Sequence, residues 1–449
     1  MSTDSSRFAK PAWASGLPSD WQVLPIKKIV STPITDGPHE TPDFLDEGVI
    51  FISAEAIQDG KIDFARRRGF ISEADNRRYS RKYSPETGDI YVVKSGATTG
   101  KSAMVGENAD FNIWSPLAVI RSKSSMDSRF VLHTIRSQIV QYAIAINWSW
   151  GTQQNIGMGA LGRIQVPIPD LATQRQIANF LDRETARIGL LIEKREKFAS
   201  LVAEARDSLV ATMICGESSE KLDTTRNDWT DARPENWKSE RAKIYFRERI
   251  EKSVDGSEEL LTVSHITGVT TRAEKDVNMF LAESNKGYKI VHPGDIVINT
   301  MWGWMGAMGV SSHHGIISPS YGVYRPTSDA FDRDYLDLML RSKPFVAEVT
   351  RRSKGIHSSR LRIYPDAFLD MRLPVPPRDE QFAILAELRR RTERENALLA
   401  KNEQASALLK EYRSALITAA VTGQIDVTTY TKSGTPDRRL DAIQEEMGA

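Results

Sequence analysis

The sequence predicts an α+β fold: two β-rich domains at opposite ends of an antiparallel two-helix coiled coil, duplicated with pseudo-twofold symmetry. Two observations support this prediction. A set of short motifs occurs twice in the same order, roughly 200 residues apart. Each copy also ends in a long segment whose seam positions are spaced alternately three and four residues apart, as in a coiled coil.

The repeated motifs define the two copies. Two copies of this length are too few for a solenoid, so a duplicated unit is the better interpretation. The matched segments are 17–21 with 233–237, 88–93 with 294–299, 114–121 with 317–325, 166–169 with 373–376, and 206–216 with 413–423. The predicted organisation is an N-terminal tail (1–16), domain 1 (17–170), helix 1 (171–216), a linker (217–232), domain 2 (233–377), helix 2 (378–424) and a C-terminal tail (425–449).

In each β-rich domain, short β-branched runs such as 49–53 alternate with Gly, Pro and Asp, as strands alternate with turns. One helix is predicted inside each domain, at 129–145 and at 333–350.

The two long helices are predicted at about 174–214 and 379–422. Prolines precede each helix and prevent an earlier start, and Thr173 can cap the first one. Gly216 and Gly423 are the expected residues just beyond the C-termini.

The direction of the helices follows from chain geometry. Domain 2 begins soon after helix 1 ends, so helix 2 must run back along helix 1 and the pair is antiparallel. The alternative is that each helix packs on its own β-rich domain. The residues predicted at the helix–helix seam are Ile188, Leu191, Phe198, Val202, Leu209, Leu398, Asn402, Leu409 and Leu416.

Composition excludes several classes of protein. The 449 residues include 60 Lys and Arg against 59 Asp and Glu, so the chain is not basic throughout, although local patches can still bind nucleic acid. No apolar run reaches the length of a membrane span, and we expect a cytoplasmic protein without membrane contact. The single cysteine, Cys215, excludes intramolecular disulfides and zinc sites built on paired cysteines.

The segment Ser95–Ser102 ends in Gly-Lys-Ser but does not have the glycine spacing of a phosphate loop. The residues after it predict a strand, and Ala307 occupies the position of Lys101 in the second copy. A β-turn that presents small polar residues and one lysine to a ligand backbone fits better. Metalloprotease, nucleophile-elbow and amino-methyltransferase motifs are missing, so we expect a non-catalytic, metal-free chain.

Positive residues outnumber acidic ones in 61–101 and again in 341–362, as in proteins that bind a phosphate backbone. A solvated surface is the alternative for either patch alone. Beside the first patch, segment 148–155 offers Gln and Asn amides suited to adenine, together with two tryptophans that could instead belong to the core. Its counterpart, 354–360, offers Arg and His.

The motifs occur in the same order in both copies, and together they resemble those of the specificity subunits of Type I restriction-modification enzymes. The residues that carry the resemblance are 35–42, Gly88-Asp-Ile with the Gly-Lys turn, 151–156, 166–182 and 374–385. The motif Glu-Gln-x-x-Ile is kept at Glu380–Ile384, whereas Thr173 replaces the glutamate in the first copy.

The resemblance implies a non-catalytic DNA reader whose two target recognition domains each read half of a split, asymmetric site on double-stranded DNA. It implies two modification subunits, which bind S-adenosylmethionine and methylate adenine, and restriction subunits, which use ATP and Mg²⁺. This chain would bind no cofactor.

The DNA-binding residues predicted on these grounds are Thr35, Asp36, His39, Lys94, Ser95, Thr98, Thr99, Lys101, Trp148, Trp150, Thr152, Gln153, Gln154, Asn155, Thr300, Trp302, Trp304, Arg352, Lys354, His357, Ser358, Ser359 and Arg360.

Two alternatives from other classes stay open. One is a coiled-coil scaffold whose β-rich domains bind protein ligands. The other is a nucleotide-using enzyme built on the Gly-Lys turn. Salt-dependent binding to duplex DNA would exclude the first, and nucleotide binding by the isolated chain would support the second.

Overall fold

The structure is a computed structural model that describes residues 11–58, 60–106, 110–150, 154–217, 219, 221–224, 229–230, 232–274, 284–355 and 361–430. The chain forms two compact units. Unit 1 comprises residues 1–195 and 403–449, and unit 2 comprises residues 196–402. Both unit boundaries fall inside long helices. Among the described residues, none of the helices combines the length and the apolar composition that a membrane span requires.

Unit 1 begins with a β-rich region that contains four short helices. Its strands are β1 (Gln22–Pro25), β2 (Thr35–Asp36), β3 (Val49–Ile52), β4 (Ile57–Gln58), β5 (Lys61–Ile62), β6 (Gly69–Ile71), β7 (Ile90–Val93), β8 (Ser102–Met104), β9 (Phe111–Ile113), β10 (Leu117–Ile120), β11 (Ser149–Trp150), β12 (Gln154–Asn155) and β13 (Gln165–Ile168). Its helices are α1 (Glu73–Ser80), α2 (Ser128–Arg136), α3 (Gln138–Ile146) and α4 (Met158–Arg163), and the long helix α5 (Leu171–Cys215) begins in this unit.

The central sheet of unit 1 has the strand order β2-β10-β7-β8, and all its pairs are antiparallel. Side chains alternate between the two faces of a strand. Ile90 and Val92 therefore join a core with α2 and α5, whereas Tyr91 and Val93 join a second core with residues of β3 and β9. The sheet thus separates two apolar layers.

Unit 2 repeats the scheme. Its strands are β14 (Leu222–Asp223), β15 (Arg233–Pro234), β16 (Lys238–Arg241), β17 (Phe246–Glu248), β18 (Leu261–Ser264), β19 (Gly268–Thr271), β20 (Lys289–Val291), β21 (Ile296–Ile298), β22 (Met308–Val310), β23 (Gly315–Ile317), β24 (Gly322–Pro326) and β25 (Arg372–Val375). Its helices are α6 (Ala242–Tyr245), α7 (Arg333–Arg341), α8 (Lys343–Arg352) and α9 (Pro365–Leu369), and the long helix α10 (Arg378–Val421) begins here.

The sheet order β17-β24-β21-β22 in unit 2 matches β2-β10-β7-β8 in unit 1. The alternation is also repeated, because Ile296 and Ile298 face the helices while Val297 faces a separate apolar cluster with Val323. The duplicated α+β architecture that the sequence predicts is therefore confirmed at the level of sheet topology.

The single helix predicted inside each domain is wrong in detail, because each is broken into two. Ser137 separates α2 from α3, and Ser342 separates α7 from α8; both residues have extended backbones. Each buried serine hydroxyl donates to the carbonyl oxygen three residues earlier, Thr134 in unit 1 and Met339 in unit 2. This local hydrogen bond ends the first helix and turns the chain.

The first long helix begins at Leu171, which agrees with the predicted segment 171–216 and is three residues before the helical start predicted near residue 174, and its N-cap is Asp170 rather than Thr173. The Asp170 carboxylate accepts hydrogen bonds from the hydroxyl of Thr173 and from the amides of Thr173 and Ala172, and these bonds lower its pKa. Asp170 directly follows Pro169, so the cap forms at the first residue where helix is permitted.

Both long helices end at the glycines that the sequence predicts. Gly216 and Gly423 have φ values of +72° and +67°. The amide after each glycine, Glu217 and Gln424, donates to a carbonyl five residues back, which is the Schellman arrangement. A Cβ on Gly423 would lie 2.7 Å from Pro18, and one on Gly216 would lie 2.3 Å from Pro234, so the proline of each repeated front motif packs on a helix end.

Within each unit, halves of the two long helices pack on one another. In unit 1, Ile177 and Leu181 share a core with Leu416 and Val421. In unit 2, Arg206 donates to Glu395 over 2.7 Å, while Ile214, nearer the end of α5, shares a cluster with residues nearer the start of α10. Residue numbers rise along α5 as they fall along α10, so the halves of unit 2 are antiparallel.

Candidate nucleic-acid interface

The Gly-Lys turn of unit 1 joins β7 to β8. Val93 exchanges backbone hydrogen bonds with Lys101 and Gly100, at 2.8 Å each, and inside the turn the Thr99 amide donates to Gly96. Gly96 and Gly100 have φ values of +98° and +94°, which favour glycine. The strand predicted after the turn is confirmed as β8. The turn therefore presents Thr98, Thr99 and Lys101 at a hairpin tip.

A second hairpin, β11–β12, lies directly against this turn. The Gly96 amide donates to the Gln154 carbonyl over 3.0 Å, the Thr99 hydroxyl reaches the same oxygen over 3.4 Å, and Ser95 pairs with Asn155. The structure thus brings together Ser95, Thr99, Gln154 and Asn155, which the sequence predicted as DNA-binding. Asn155 is exposed. Thr152, Gln153 and the side chain of Trp150 lie outside the described residues.

Trp148 is not an exposed aromatic side chain. Its side chain is partly buried against the core that contains α2, α3 and the start of α5. Its indole N–H has no hydrogen-bond partner among the described residues. Trp148 therefore packs on the core next to the hairpin in sequence.

Lys94 and Asp36 form an ion pair beneath the turn. Lys94 Nζ lies 2.8 Å from Asp36, and Lys82 and His39 contact the same carboxylate at 2.5 and 3.0 Å. Only 1% of Asp36 and 13% of the Lys94 side chain are exposed. Burial alone would raise the pKa of Asp36, but the hydrogen bonds from the two lysines lower it by more. The neighbouring Thr35 pairs with Val119 in β2–β10.

The same turn in unit 2 has different chemistry. It comprises Thr300 to Gly306, with a 3₁₀ turn at Gly303–Met305, and Gly306 has a φ of +85°. The rings of Trp302 and Trp304 are stacked, with centroids 6.3 Å apart and planes 15° apart. Trp302 is 51% exposed and Trp304 is half-buried, so this turn carries an aromatic pair, whereas the turn of unit 1 ends in Lys101.

The segment after α8 lies beside this turn. Lys354 and Arg362 form a two-residue backbone ladder, and the amide of Ile363 donates to the Thr300 carbonyl over 3.1 Å. The structure therefore brings Lys354 and Thr300 to one region of unit 2. Arg352 instead donates to the buried Glu348. His357, Ser358, Ser359 and Arg360 lie outside the described residues.

The two basic patches include many paired cations. In unit 1, Arg66, Arg68 and Arg78 pair with neighbouring carboxylates, and in unit 2 Arg341 pairs with Asp337. The excess of positive charge is therefore smaller at the surface than the residue counts suggest. Lys101 has no ion pair among the described residues, so it retains its charge for a ligand.

Two buried polar contacts that sequence analysis missed are shared by both units. Asp89 and Asp295, of the repeated Gly-Asp motif, each accept two hydrogen bonds from one arginine, Arg121 and Arg249 respectively. The hydrogen bonds to Asp89 raise the pKa of Arg121. The repeated Gly-Asp spacing was the available signal, but the arginines come from different strand ends and could not be found from it.

The second shared contact involves the glutamine of the Gln-x-x-Ile motif. Gln174 accepts from the amide of Asp127 over 2.9 Å and donates to Pro169, and Gln381 accepts from the amide of Asp332 over 2.6 Å and donates to Pro376. Both glutamines are buried. They join the start of each long helix to the cap of α2 or α7, so the motif has a structural role.

On the long helices, the predicted seam residues differ in burial. Ile188 and Leu416 are buried, while Leu191, Val202, Leu209, Asn402 and Leu409 are half-buried. Phe198 and Leu398 are 38% and 48% exposed, and the adjacent Ala199 and Leu399 are less exposed. The less exposed face is therefore displaced by one residue at these two positions.

Comparison with known proteins relates this geometry to a family. Residues 18–197 match the family described as Type I restriction modification DNA specificity domain. The resemblance predicted from the motifs is thereby confirmed, and the matched segment contains the Gly-Lys turn, the β11–β12 hairpin and the start of α5.

Two curated relatives agree. The chain is 24% identical over 221 residues to the Type I restriction enzyme EcoKI specificity subunit of Escherichia coli (strain K12), and 23% identical over 213 residues to the StySPI specificity subunit of Salmonella potsdam. The matches cover 46% and 44% of this chain, and 45% and 44% of those proteins. The matched segment thus spans less than half the length of either relative.

A solved chain from work on complex assembly and conformational transition of the type I R-M system has the same fold. The TM-score is 0.59 at 17% sequence identity, and the match covers 91% of this chain and 99% of that chain. The shared fold extends beyond the segment that matches the specificity domain family, into unit 2.

Proposed function

We propose that this chain is the DNA-recognition subunit of a Type I restriction-modification complex, with one target recognition domain in each unit. The main observation that supports this proposal is that both units have a hairpin turn at the same position of the repeated sheet, and the two turns present different side chains. In unit 1 the turn carries Lys101 beside Asn155; in unit 2 it carries Trp302 and Trp304 beside Lys354.

The proposal includes a bipartite, asymmetric target on double-stranded DNA. Amide side chains such as Asn155 hydrogen-bond to adenine edges, and lysines contact phosphates. Because the two turns differ in chemistry while the Asp–Arg and glutamine contacts behind them are shared, each unit is expected to read its own half-site. The chain supplies position and sequence, and chemistry on the base belongs to a partner.

The partners we propose are two modification subunits and, in the full complex, restriction subunits. In this assignment S-adenosylmethionine is bound by the modification subunits, ATP and Mg²⁺ by the restriction subunits, and no cofactor by this chain. Support for docking on the long helices comes from large apolar side chains that are exposed on them. These are Phe198, Leu201, Phe382, Leu398, Leu408 and Tyr412.

The deciding experiment exchanges residues 20–165 for the corresponding segment of another specificity subunit and maps methylated adenines across the genome. We expect one half-site to change and the other to persist, because residues 20–165 lie entirely in unit 1. A change in both half-sites would contradict separate reading by the two units.

The alternative interpretation is a scaffold that binds protein ligands. It is distinguished from a DNA reader by measuring binding of the purified chain to duplex DNA at several salt concentrations. A DNA reader shows a steep, linear fall of log affinity with log salt. A scaffold shows no such dependence.

A further inference from the structure

The exposed face of helix α1 in unit 1 carries two arginines, Arg77 and Arg81. Both are exposed, and they lie four residues apart, so their side chains share one face of the helix. Arg81 is the C-cap residue and keeps a helical backbone. Among the described residues, neither arginine forms an ion pair. Both acidic residues of α1, Glu73 and Asp75, lie in its first turn, so the last turn is cationic.

The third arginine of α1 differs from these two. Arg78 lies 2.7 Å from a carboxylate oxygen of Asp75 and 2.7 Å from one of Glu40, and its guanidinium lies 4.9 Å from the ring of Tyr79. Its charge is therefore compensated within unit 1. The charges of the other two arginines are not compensated in this way, so they remain available to an anionic ligand.

The other face of α1 is fixed on unit 1. Asn112 of β9, of which only 1% is exposed, donates to the side chains of Asn76 and Ser80 over 3.0 and 3.2 Å. Tyr79 is buried, and its ring centroid lies 6.0 Å from that of Phe51. The exposed arginines are therefore presented by a helix whose position is set by buried contacts, as a binding element requires.

The end of α1 that carries Arg81 is joined to the Gly-Lys turn by a shared carboxylate. The next residue, Lys82, contacts one oxygen of the buried Asp36, and Lys94, at the start of the turn, contacts the other oxygen over 2.8 Å. His39, whose side chain is 70% exposed, contacts the same carboxylate. The turn is in turn hydrogen-bonded to the β11–β12 hairpin. Helix α1, the turn and the hairpin are therefore connected parts of unit 1.

We propose that α1 is a second DNA-contacting element of unit 1, in which Arg77 and Arg81 bind backbone phosphates of duplex DNA. The inference rests on the proposed function and extends it, since none of the residues predicted to bind DNA lies on α1. Arginine contacts to phosphates set the register of a protein on the duplex, while a neighbouring element reads the bases. A DNA backbone is favoured over an acidic protein surface because α1 is joined to the hairpin that presents Asn155.

The test removes both charges from the full-length chain with Arg77→Gln and Arg81→Gln. Affinity is measured by fluorescence anisotropy over a range of salt, for the duplex identified from methylated adenines and for a mixed-sequence duplex. We expect several-fold weaker binding of both duplexes, because phosphate contacts carry no sequence information. The salt slope should be smaller by about one per lost phosphate contact. The midpoint of urea unfolding should not change, because both side chains are exposed.

Two control variants separate the position and the charge of the arginines from other effects. Lys123→Gln with Arg175→Gln also removes two exposed charges, but from the opposite end of the central sheet. Lys123 follows β10 and Gly88 precedes β7, at the end of this antiparallel pair away from the turn, and Arg175 lines a cavity with Gly88. This variant should bind DNA as the wild type does. Arg77→Lys with Arg81→Lys keeps both charges and should keep the wild-type salt slope.

The outcomes distinguish the possible ligands. An unchanged slope in the glutamine variant overturns the inference and leaves the proposed function intact, and an accompanying loss of co-purification with the modification subunit would identify an acidic protein surface instead. A loss confined to the methylated site would show contacts to bases, and the phosphate assignment would be wrong. If the wild type does not bind duplex, the proposed function and the inference fail together. If the double variant unfolds, Arg81→Gln alone should still lower the slope by about one.

Discussion

The two units differ at their surfaces and share two of their buried polar contacts. Behind each turn, an aspartate accepts two hydrogen bonds from an arginine and a glutamine joins a long helix to a cap. At the turn itself, unit 1 has Lys101 and unit 2 has a stacked tryptophan pair. The comparison teaches that the repeated motifs maintain the scaffold, whereas the side chains expected to determine specificity are those that do not repeat.

The largest expected effect is loss of the buried aspartates. Asp89→Ala and Asp295→Ala should each lower the free energy of unfolding by about 3 kcal/mol, because each leaves a partly buried arginine without its main partner. Urea unfolding measures the change. Glu86→Ala and Glu251→Ala are the controls, since these glutamates contact the same arginines from exposed positions and should cost little. If either substitution leaves the free energy of unfolding unchanged, the Asp–Arg contact does not have the same role in both units.

The next largest loss of stability is expected when the buried glutamines at the starts of the long helices are replaced. Gln174→Ala and Gln381→Ala should each cost about 1–3 kcal/mol, because each leaves a backbone amide, of Asp127 or Asp332, without its acceptor. Gln404→Ala, on the exposed surface of α10, is the control and should stay within about 0.5 kcal/mol. Unequal costs in the two units would show that only one long helix is held at its start in this way.

The sequence predicted what depends on local chemistry and on periodicity. The ends of α5 and α10 at Gly216 and Gly423 follow from the left-handed backbone that glycine permits. The pair between Lys94 and Asp36 could not be predicted, because it joins residues far apart in the chain and depends on how β2 pairs with β10. For that reason Lys94 was predicted as a DNA-binding residue, although its ammonium group lies against Asp36.

The break at Ser137 was missed for a related reason. Apolar spacing continues through α2 and α3 without interruption, so periodicity alone predicts one helix. The observed turn depends on a hydroxyl-to-carbonyl hydrogen bond, and the amide of Gln138 donates to Thr418 on α10. Contacts with a distant segment therefore decide where this helix ends.

The Asp36–Lys94 pair sharpens the comparison, because Thr300 occupies the position of Lys94 in unit 2. Lys94→Thr should destabilise the chain by about 1–3 kcal/mol at neutral pH, because buried Asp36 loses one of its two lysine partners and keeps Lys82. The pKa of Asp36 is lowered in the folded state, so its stabilisation is present above the ordinary value of about 3.9 and is lost as pH falls through the folded pKa. The difference between wild type and Asp36→Asn in urea unfolding should therefore shrink below about pH 4. A difference that grows on acidification would contradict the ion pair.

The smallest effect on stability is expected at Trp302. Its ring is half exposed and its contact is with Trp304, so Trp302→Ala should change the free energy of unfolding by no more than about 0.5 kcal/mol. Trp148→Ala, at a ring packed on the core of unit 1, should cost clearly more. DNA binding should show the reverse order for Trp302. Its half-exposed ring is available to a ligand, so its loss should weaken binding of duplex several-fold without changing the salt slope, because no charge is removed. If Trp302→Ala unfolds the chain, or leaves DNA affinity unchanged, the tryptophan pair is not the counterpart of the Gly-Lys turn.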